Sequence, residues 1–435
     1  MNIGPIPRRS WLRTVGLATL GATLGGGRGP ALAAGPGPGP RAVPPPPPAG
    51  RKKLAAVVTT YYPRSHADHI VGRFLWGYQW EGAHHQPGYE IAALYADQIA
   101  KEDMSRGLAA RFGFRTAPDV ADALTLGTGR LAVDGVLLIG EHGDYPENAR
   151  GQKLYPRFEL FEQITRVFER SGRSTPVFND KHLSYDHDKA TAMVETAHRL
   201  GFPLMAGSSL PVTYRRPEFE PPIGAKFAEV LVAGYGPNEI YGFHALETLQ
   251  CMVERRAGGE SGVAAVTARK GPAVWDDGDK GAWSWDLLEH ALGRSETRNV
   301  GDIRANVAAP FSIRVEYRDG LVATILLLNG HIADFNFAAK VEGRSRPASC
   351  LFVLPAPPGA NFFTPLTHNI ERFLADGRSP YPVERTLLTG GILDHAMASL
   401  ADGGRRLETP KLAIRYQPPA ESTFARGGPS SPVEG

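Results

Sequence analysis

Cysteine is nearly absent from this 435-residue chain; only Cys251 and Cys350 occur. Two thiols build neither a disulfide framework nor a cysteine-rich zinc site. Also missing is any run of about 20 apolar residues, so no ordinary membrane-spanning helix is expected. Residues 1–34 contain no acid but hold Arg8, Arg9, Arg13 and Arg28. Leaving out these four takes the formal net charge from +3 to −1. A basic balance of that origin is no footprint for nucleic acid, and no such partner is expected. Neither a Gly-x-Ser-x-Gly elbow nor a P-loop is present, which removes two common catalytic signatures. What remains is 42% hydrophobic, 21% charged and 9% aromatic. That composition excludes a disordered chain, a coiled coil and a collagen.

The arginine pair belongs to an ordered leader. Residues 7–13 read Pro-Arg-Arg-Ser-Trp-Leu-Arg, followed by a weakly apolar, glycine-rich run over 14–27 and by Ala31-Leu32-Ala33-Ala34. A basic start, a short apolar middle and a small-residue cleavage site, in that order, predict a signal peptide over 1–34. The paired arginines predict the twin-arginine route and a periplasmic or secreted protein. Half of residues 35–50 are proline, which reads as a stiff linker. Outside the cytoplasm no pool of free nicotinamide nucleotide exists, so a redox cofactor would have to be held tightly.

From Lys53 onward, short apolar runs alternate with amphipathic stretches. Leu54–Thr59, Ile91–Tyr95, Val133–Gly140, Pro176–Phe178 and Pro203–Ala206 are rich in Val, Ile and Leu without polar alternation. Such runs suit strands buried on both faces of a parallel sheet. Between them, Asp186–Leu200 sets Ala190, Met193, Val194 and Ala197 at helical spacing and meets a stop at Gly201. The repetition predicts an α/β protein with a Rossmann-like, doubly wound parallel sheet over 51–215. The second half differs. Phe311–Arg318, Leu321–Leu328 and Ile332–Val341 are strand-like and are separated by Asp319-Gly320 and Asn329-Gly330, two strong hairpin signals. With a strand at Ser349–Leu354 and helices near Phe243–Glu254 and His368–Ala375, an α+β domain with a largely antiparallel sheet is expected over 220–416. A loose tail is expected over 417–435.

Open parallel sheets bind ligands beyond the carboxyl ends of their strands. After the first apolar run come Tyr61-Tyr62-Pro63-Arg64-Ser65-His66-Ala67-Asp68-His69. After the second comes Asp97. After the next come Glu141-His142-Gly143-Asp144-Tyr145, and after the fourth Asn179-Asp180-Lys181-His182. Each of these strand ends carries ionisable groups, so the sheet edge is the candidate active site.

Several segments resemble the glucose–fructose oxidoreductase / inositol dehydrogenase (Gfo/Idh/MocA) family. These are residues 90–125, VDGVLLIG at 133–140, and, most closely, TPVFNDKHLSYDHDKATAMVETAHRLGFPLMAGSS at 175–209. Asp180-Lys181-His182 stand where that family has Glu-Lys-Pro. Tyr241-Gly242-Phe243-His244 resembles its Gly-x-His, and THNIERFLADGRSPYP at 367–382 its late helix and turn. The resemblance implies an oxidoreductase acting on a sugar, polyol or related hydroxy compound with bound NAD or NADP. It implies a proton-handling Lys181 flanked by Asp180 and His182, a general acid/base at His244, and Asp97 at the adenosine ribose. Glu141 and His142, at the neighbouring strand end, join the expected cofactor pocket, and a homo-oligomer through the C-terminal sheet is a further expectation.

Two features depart from the family. Its Gly-x-Gly-x-x-Gly loop is replaced by a segment with no glycine before Gly72, and Pro63 removes an amide donor. A dinucleotide is therefore expected in a non-standard pose. In its place His66-x-x-His69, with His142 and Asp144, forms a candidate zinc or manganese set. A redox-inactive hydrolase or lyase, metal-assisted or not, and a non-catalytic carbohydrate-binding protein are the rival readings. His84-His85 and the aromatics Trp76, Tyr78 and Trp80 could line such a site or pack a loop.

Overall fold

Residues buried on both faces need no alternation, and the first strand shows why the apolar runs are continuous. In the computed structural model, which describes residues 50–354 and 360–428, Leu54, Ala56 and Val58 face one core and Ala55 and Val57 another. The expected signal peptide and, Gly50 apart, the linker lie outside the described residues.

The parallel sheet comprises β1 (Lys52–Val58), β2 (Tyr89–Ala96), β3 (Arg115–Thr116), β4 (Gly135–Ile139), β5 (Val177–Asp180) and β6 (Leu204–Gly207). Its spatial order is β3-β2-β1-β4-β5-β6, with every pair parallel. The order reverses beside β1, which opens a crevice at the carboxyl ends of β1 and β4. Helices α1 (His66–Trp76), α2 (Arg157–Ser171) and α3 (His187–Leu200) flank the sheet. In α3 the Asp186 side chain caps the start by accepting from the Lys189 N–H at 2.9 Å, and Gly201 ends it in the left-handed conformation.

The second sheet contains β7 (Phe227–Gly234), β8 (Val263–Lys270), β9 (Phe311–Tyr317), β10 (Val322–Leu327), β11 (Phe335–Val341) and β12 (Ala348–Phe352). Its order is β8-β9-β10-β7-β11-β12, with the two-residue strands Leu407–Glu408 and Arg215–Arg216 at its edges. All pairs are antiparallel except β7 with β10. Asp319-Gly320 does turn the β9–β10 hairpin, with Gly320 at φ 91°. Asn329-Gly330 does not join neighbours, because β7 lies between β10 and β11. The Asn329 amide instead bonds both backbone groups of Gly236, at 2.6 and 3.0 Å, tying two loops together. Turn chemistry is local, whereas strand insertion is decided by distant apolar rows, so the hairpin expected at Asn329-Gly330 did not form.

Helices cover both faces of the central strands. On one face Val232, Ile313, Ile325 and Phe337 meet α4 (Asn238–Val253) and Ile392 of a long helix, Val383–Ala401. On the other, Leu231, Ala233, Leu326 and Ala338 meet Leu287, Leu288 and Ala291 of the helix Trp285–Leu292. The tail reading is also corrected for residues 417–428. Arg255 donates to the Pro419 carbonyl at 3.0 Å, the Arg215 guanidinium covers the Phe424 ring at 4.1 Å, and the Ala425 N–H bonds Val212.

Candidate functional site

Lys181 is the first residue past β5. Its N–H continues the ladder to the Gly207 carbonyl at 3.0 Å, but its own φ is 63°, a left-handed conformation in a non-glycine residue. His142 after β4 (φ 70°) and Arg64 after β1 (φ 68°) are bent the same way. Each such residue costs on the order of 1 kcal/mol or more, a strain that clusters at functional sites. The Asn179 side-chain amide holds the Lys181 turn by donating to the Asp180 and His182 carbonyls, both at 3.2 Å.

These bends gather a buried ionic cluster. Lys181 Nζ lies 3.1 Å from Glu141 Oε1, with both side chains 3% exposed. Arg157, fully buried at the start of α2, donates to Glu141 Oε2 and, at 3.1 Å, to His182 Nε2. A Cβ on Gly140 would lie 2.5 Å from Arg157 Cγ, so glycine at that strand end makes room for the arginine. Burial pushes the Glu141 carboxyl up, but Lys181 and Arg157 outweigh it and hold the group well below the usual carboxylate range. His66 Nδ1 lies 2.6 Å from Asp180 Oδ2.

Helix α4 closes the site with Glu239 in its first turn and His244. Glu239 Oε1 lies 3.5 Å from His182 Nε2. Burial, reinforced by Glu141 and opposed by Arg157 and Lys181, pushes the Glu239 carboxyl up to about 7. His244 sits among the Tyr241, Phe243 and Phe335 rings, and burial, then Lys181 and His66, hold its pKa well below the ordinary value. His182 is lowered by burial and then Arg157. His142 is lowered to about 4 by burial and then His66. Imidazoles held below their ordinary range therefore surround the Glu141 carboxylate and its two basic partners. His142 Nε2, Asp180 Oδ1, His182 Nδ1, Glu239 Oε1 and His244 Nδ1 are all buried with no hydrogen-bond partner among the described residues. Buried polar atoms are nearly always bonded, so this concentration marks where a polar ligand or ordered water belongs.

The expected catalytic residues Lys181, Asp180, His182 and His244 thus lie in one cluster with Glu141 and His142. Asp97 stands apart at the tip of β2, its carboxylate accepting from the Tyr95 hydroxyl at 2.9 Å and the Tyr145 hydroxyl at 2.6 Å. The metal expectation finds no support. His66 is taken by Asp180, and the His69 ring stacks on Phe363 at 4.8 Å. Burial, then Arg73, pushes His69 down to about 3. His142 packs edge-on to His66, and Asp144 is exposed. Among the described residues, no three His, Cys, Asp or Glu side chains are grouped to hold a metal ion. Spacing three apart put His66 and His69 on one helix face, but that face packs rather than converges on an ion. The other candidates pack as well: His85 bonds Glu371 at 2.7 Å, Trp80 stacks on His368 at 4.1 Å, and Trp76 meets Phe112 edge-on. Sequence reasoning missed Arg157 entirely. Gly140, set directly before Glu141, was its one signal.

A dinucleotide fits this edge unevenly. Asp97 and Lys181, the residues expected at the ribose and at the reacting end, both stand at this edge. Between them the loop over 59–65 offers no glycine cradle, and Tyr61 is buried in the core beneath it. Ser65 Oγ accepts from the Asp68 and Tyr62 N–H groups at 3.2 and 3.3 Å, and the Asp68 carboxylate accepts from the Arg64 N–H at 2.8 Å. The start of α1, where this fold seats phosphate, is thus closed by the chain's own carboxylate. A pyrophosphate does not fit the loop as folded.

No family model and no curated protein matches the chain. Solved structures do. GenD2 from gentamicin A biosynthesis, in complex with NAD, is 14% identical and covers 82% of this chain and 96% of its own, at a TM-score of 0.50. Myo-inositol 2-dehydrogenase from Lactobacillus plantarum is 11% identical, covers 82% and 99%, and reaches 0.51. The fold is that of the glucose–fructose oxidoreductase / inositol dehydrogenase family. Apo scyllo-inositol dehydrogenase from Lactobacillus casei agrees, at 8% identity, 82% and 98% coverage and a TM-score of 0.50. The likeness is one of fold, carried by a sequence 8% to 14% identical to these structures.

Proposed function

We propose that the protein is an exported enzyme of the oxidoreductase class, acting on a sugar, polyol or related hydroxy compound. The observation that carries this reading is the convergence of Lys181, Glu141, Arg157 and His244 around unpartnered buried polar atoms. Their mixture of donors and acceptors suits hydroxyl groups, which both donate and accept. Lys181, held by Glu141, donates to a substrate oxygen and favours its deprotonated form. His244, kept neutral, can take the hydroxyl proton. Arg157 balances Glu141, so that Lys181 is not its sole partner. The NAD complex of GenD2 supports NAD or NADP as the redox partner. Screening purified protein against myo-inositol and simple hexoses with each nucleotide tests the reading; absence of any turnover would set it aside.

The closed start of α1 favours a second reading, redox-neutral acid–base chemistry on the same substrates. Calorimetric titration with NAD and NADP separates the two. The wild type is expected to bind weakly. Asp68→Asn removes a carboxylate from the phosphate seat and is expected to tighten binding about threefold to fivefold, the usual size of a charge effect at a helix start. Tight binding unchanged by Asp68→Asn would show that the loop accepts phosphates after all, and would favour the redox reading.

Export rests on the leader sequence. Replacing Arg8 and Arg9 by Lys is expected to leave the protein in the cytoplasm of a host with a twin-arginine system. Cell fractionation reads this directly, and undiminished export of the double variant would refute the route.

A further inference from the structure

We propose that His66 is a further catalytic residue of this site, a general base for a substrate hydroxyl, and that Asp180 is its positioning residue. The proposal rests on the redox-neutral acid–base reading above, in which one group removes a proton and another returns one. His244 fills one of these roles, and His66 fills the other.

Local backbone chemistry fixes where His66 stands. Ser65 is fully buried, its N–H bonds the Tyr62 carbonyl at 3.0 Å, and its hydroxyl caps the helix, so His66 is the first residue of α1. A glycine loop at this place would leave room for phosphate. Here an imidazole reaches across to the end of β5 instead. The ring stands edge-on to His142 at 5.2 Å and to Phe363 at 5.0 Å, which limits its freedom to turn. Asp180 is the last residue of β5 and directly precedes Lys181. One strand end thus aims a carboxylate at His66 and an ammonium at Glu141.

His66 Nδ1 lies 2.6 Å from Asp180 Oδ2, and the Asp180 side chain is 1% exposed. A carboxylate only accepts, so the ring proton sits on Nδ1 and Nε2 keeps its lone pair. Nε2 has no hydrogen-bond partner among the described residues and is not sealed off, since the side chain is 14% exposed. A proton taken there forms an imidazolium facing its own carboxylate, from which water can remove it. His244 has no carboxylate within ion-pair distance among the described residues, and its Nδ1 is buried. A base at hydrogen-bond distance from an orienting carboxylate is the arrangement that activates hydroxyl groups on unrelated folds. The charges of Lys181 and His66 both act on the Glu141 carboxyl and on His244, so the imidazole stands near the ammonium that receives the substrate oxygen.

The step is a single proton transfer. The substrate O–H bond breaks, and its electron pair stays on the oxygen, opposite the Lys181 ammonium. The proton bonds to the Nε2 lone pair, while the Nδ1–H remains shared with Asp180. In the reverse direction Nε2 returns it.

Diethyl pyrocarbonate acylates a free imidazole nitrogen, and peptide mass spectrometry locates the adduct. His66 of the wild type is expected to react, ahead of the buried His182 and His244; an unmodified His66 overturns the proposal. The second arm is turnover of myo-inositol or the hexose found active. His66→Ala is expected to lower kcat at least about 100-fold with KM little changed, and added imidazole is expected to recover part of the loss. Imidazole is expected to leave Lys181→Met unimproved. A merely structural pair would lower the melting temperature and gain nothing from imidazole. Loss without rescue, or full turnover, therefore overturns the proposal and leaves the redox-neutral reading to the NAD and NADP titrations. His66→Gln keeps a donor for Asp180 without a basic nitrogen; it is expected to lose as much activity, and full turnover in it overturns the proposal even if the Ala variant does not fold. Asp180→Asn is expected to lower kcat and spare KM, and an unchanged kcat overturns the positioning role. Absence of turnover in the wild type removes the functional reading and this proposal with it, whatever the labelling result.

Discussion

Lys181→Met is expected to lower turnover at least about 100-fold, the lower end of an acid–base contribution. Methionine keeps roughly the length and apolar stem and removes only the ammonium. Lys181 sits past β5 in a left-handed turn held by Asn179, so its ammonium is presented by backbone strain and not by a flexible loop. It is also the group that both enzymatic readings need, as electrophile toward a substrate oxygen or as partner in proton exchange. Folding should survive, because Arg157 remains to neutralise Glu141, and the melting temperature is expected to fall by only a few degrees. Steady-state rates and a melting curve on the same preparation check both halves. Full turnover with Met at this position would show that the site assignment is wrong, and would move the carbohydrate-binding reading ahead.

Arg157→Met is expected to be the most destabilising single change in the site. It removes a fully buried guanidinium and strands two acceptors, Glu141 Oε2 and His182 Nε2. Breaking a buried pair on one side typically costs about 3–5 kcal/mol. For a chain of this size that corresponds to a fall in Tm of roughly 4–6 °C. The pH dependence has a definite sign. The Glu141 carboxyl is depressed in the folded state, so its stabilisation is present above the usual carboxylate range and is lost as pH falls through the depressed value. Without Arg157 that value rises, and the acid loss of stability moves toward ordinary carboxylate pH. Melting curves between acid and neutral pH would show this; a variant that melts within about 2 °C of wild type would mean that Arg157 carries little of the cluster's stability.

The parallel sheet was legible because its signals are local and redundant. Continuous Val, Ile and Leu runs such as Val136–Ile139 suit only doubly buried strands, and a capped helix such as Asp186–Gly201 announces both its ends. The chemistry at the strand ends was legible for the same reason: the fold's rule places ligands there, and Glu141 and Lys181 are each adjacent in sequence to their strand. The second sheet was read only in part. β7 and β8 were not anticipated, and β7 enters between β10 and β11, a long-range pairing that no turn residue encodes.

By itself, then, the sequence determined the residues available at the catalytic edge, the absence of a glycine cradle, and the strands and helices that bring Lys181, Glu141 and His142 to one side of a sheet. Tertiary structure alone decided which of them interact. His66 was claimed by Asp180, His69 by Phe363, and Asp97 by two tyrosine hydroxyls. Arg157, 16 residues past Glu141, and Glu239 entered the site from the first turns of two helices. Periodicity and motif report what a residue offers within about one turn or one strand. The partner of a buried charge is chosen by desolvation, which no residue meets until the chain has closed around it.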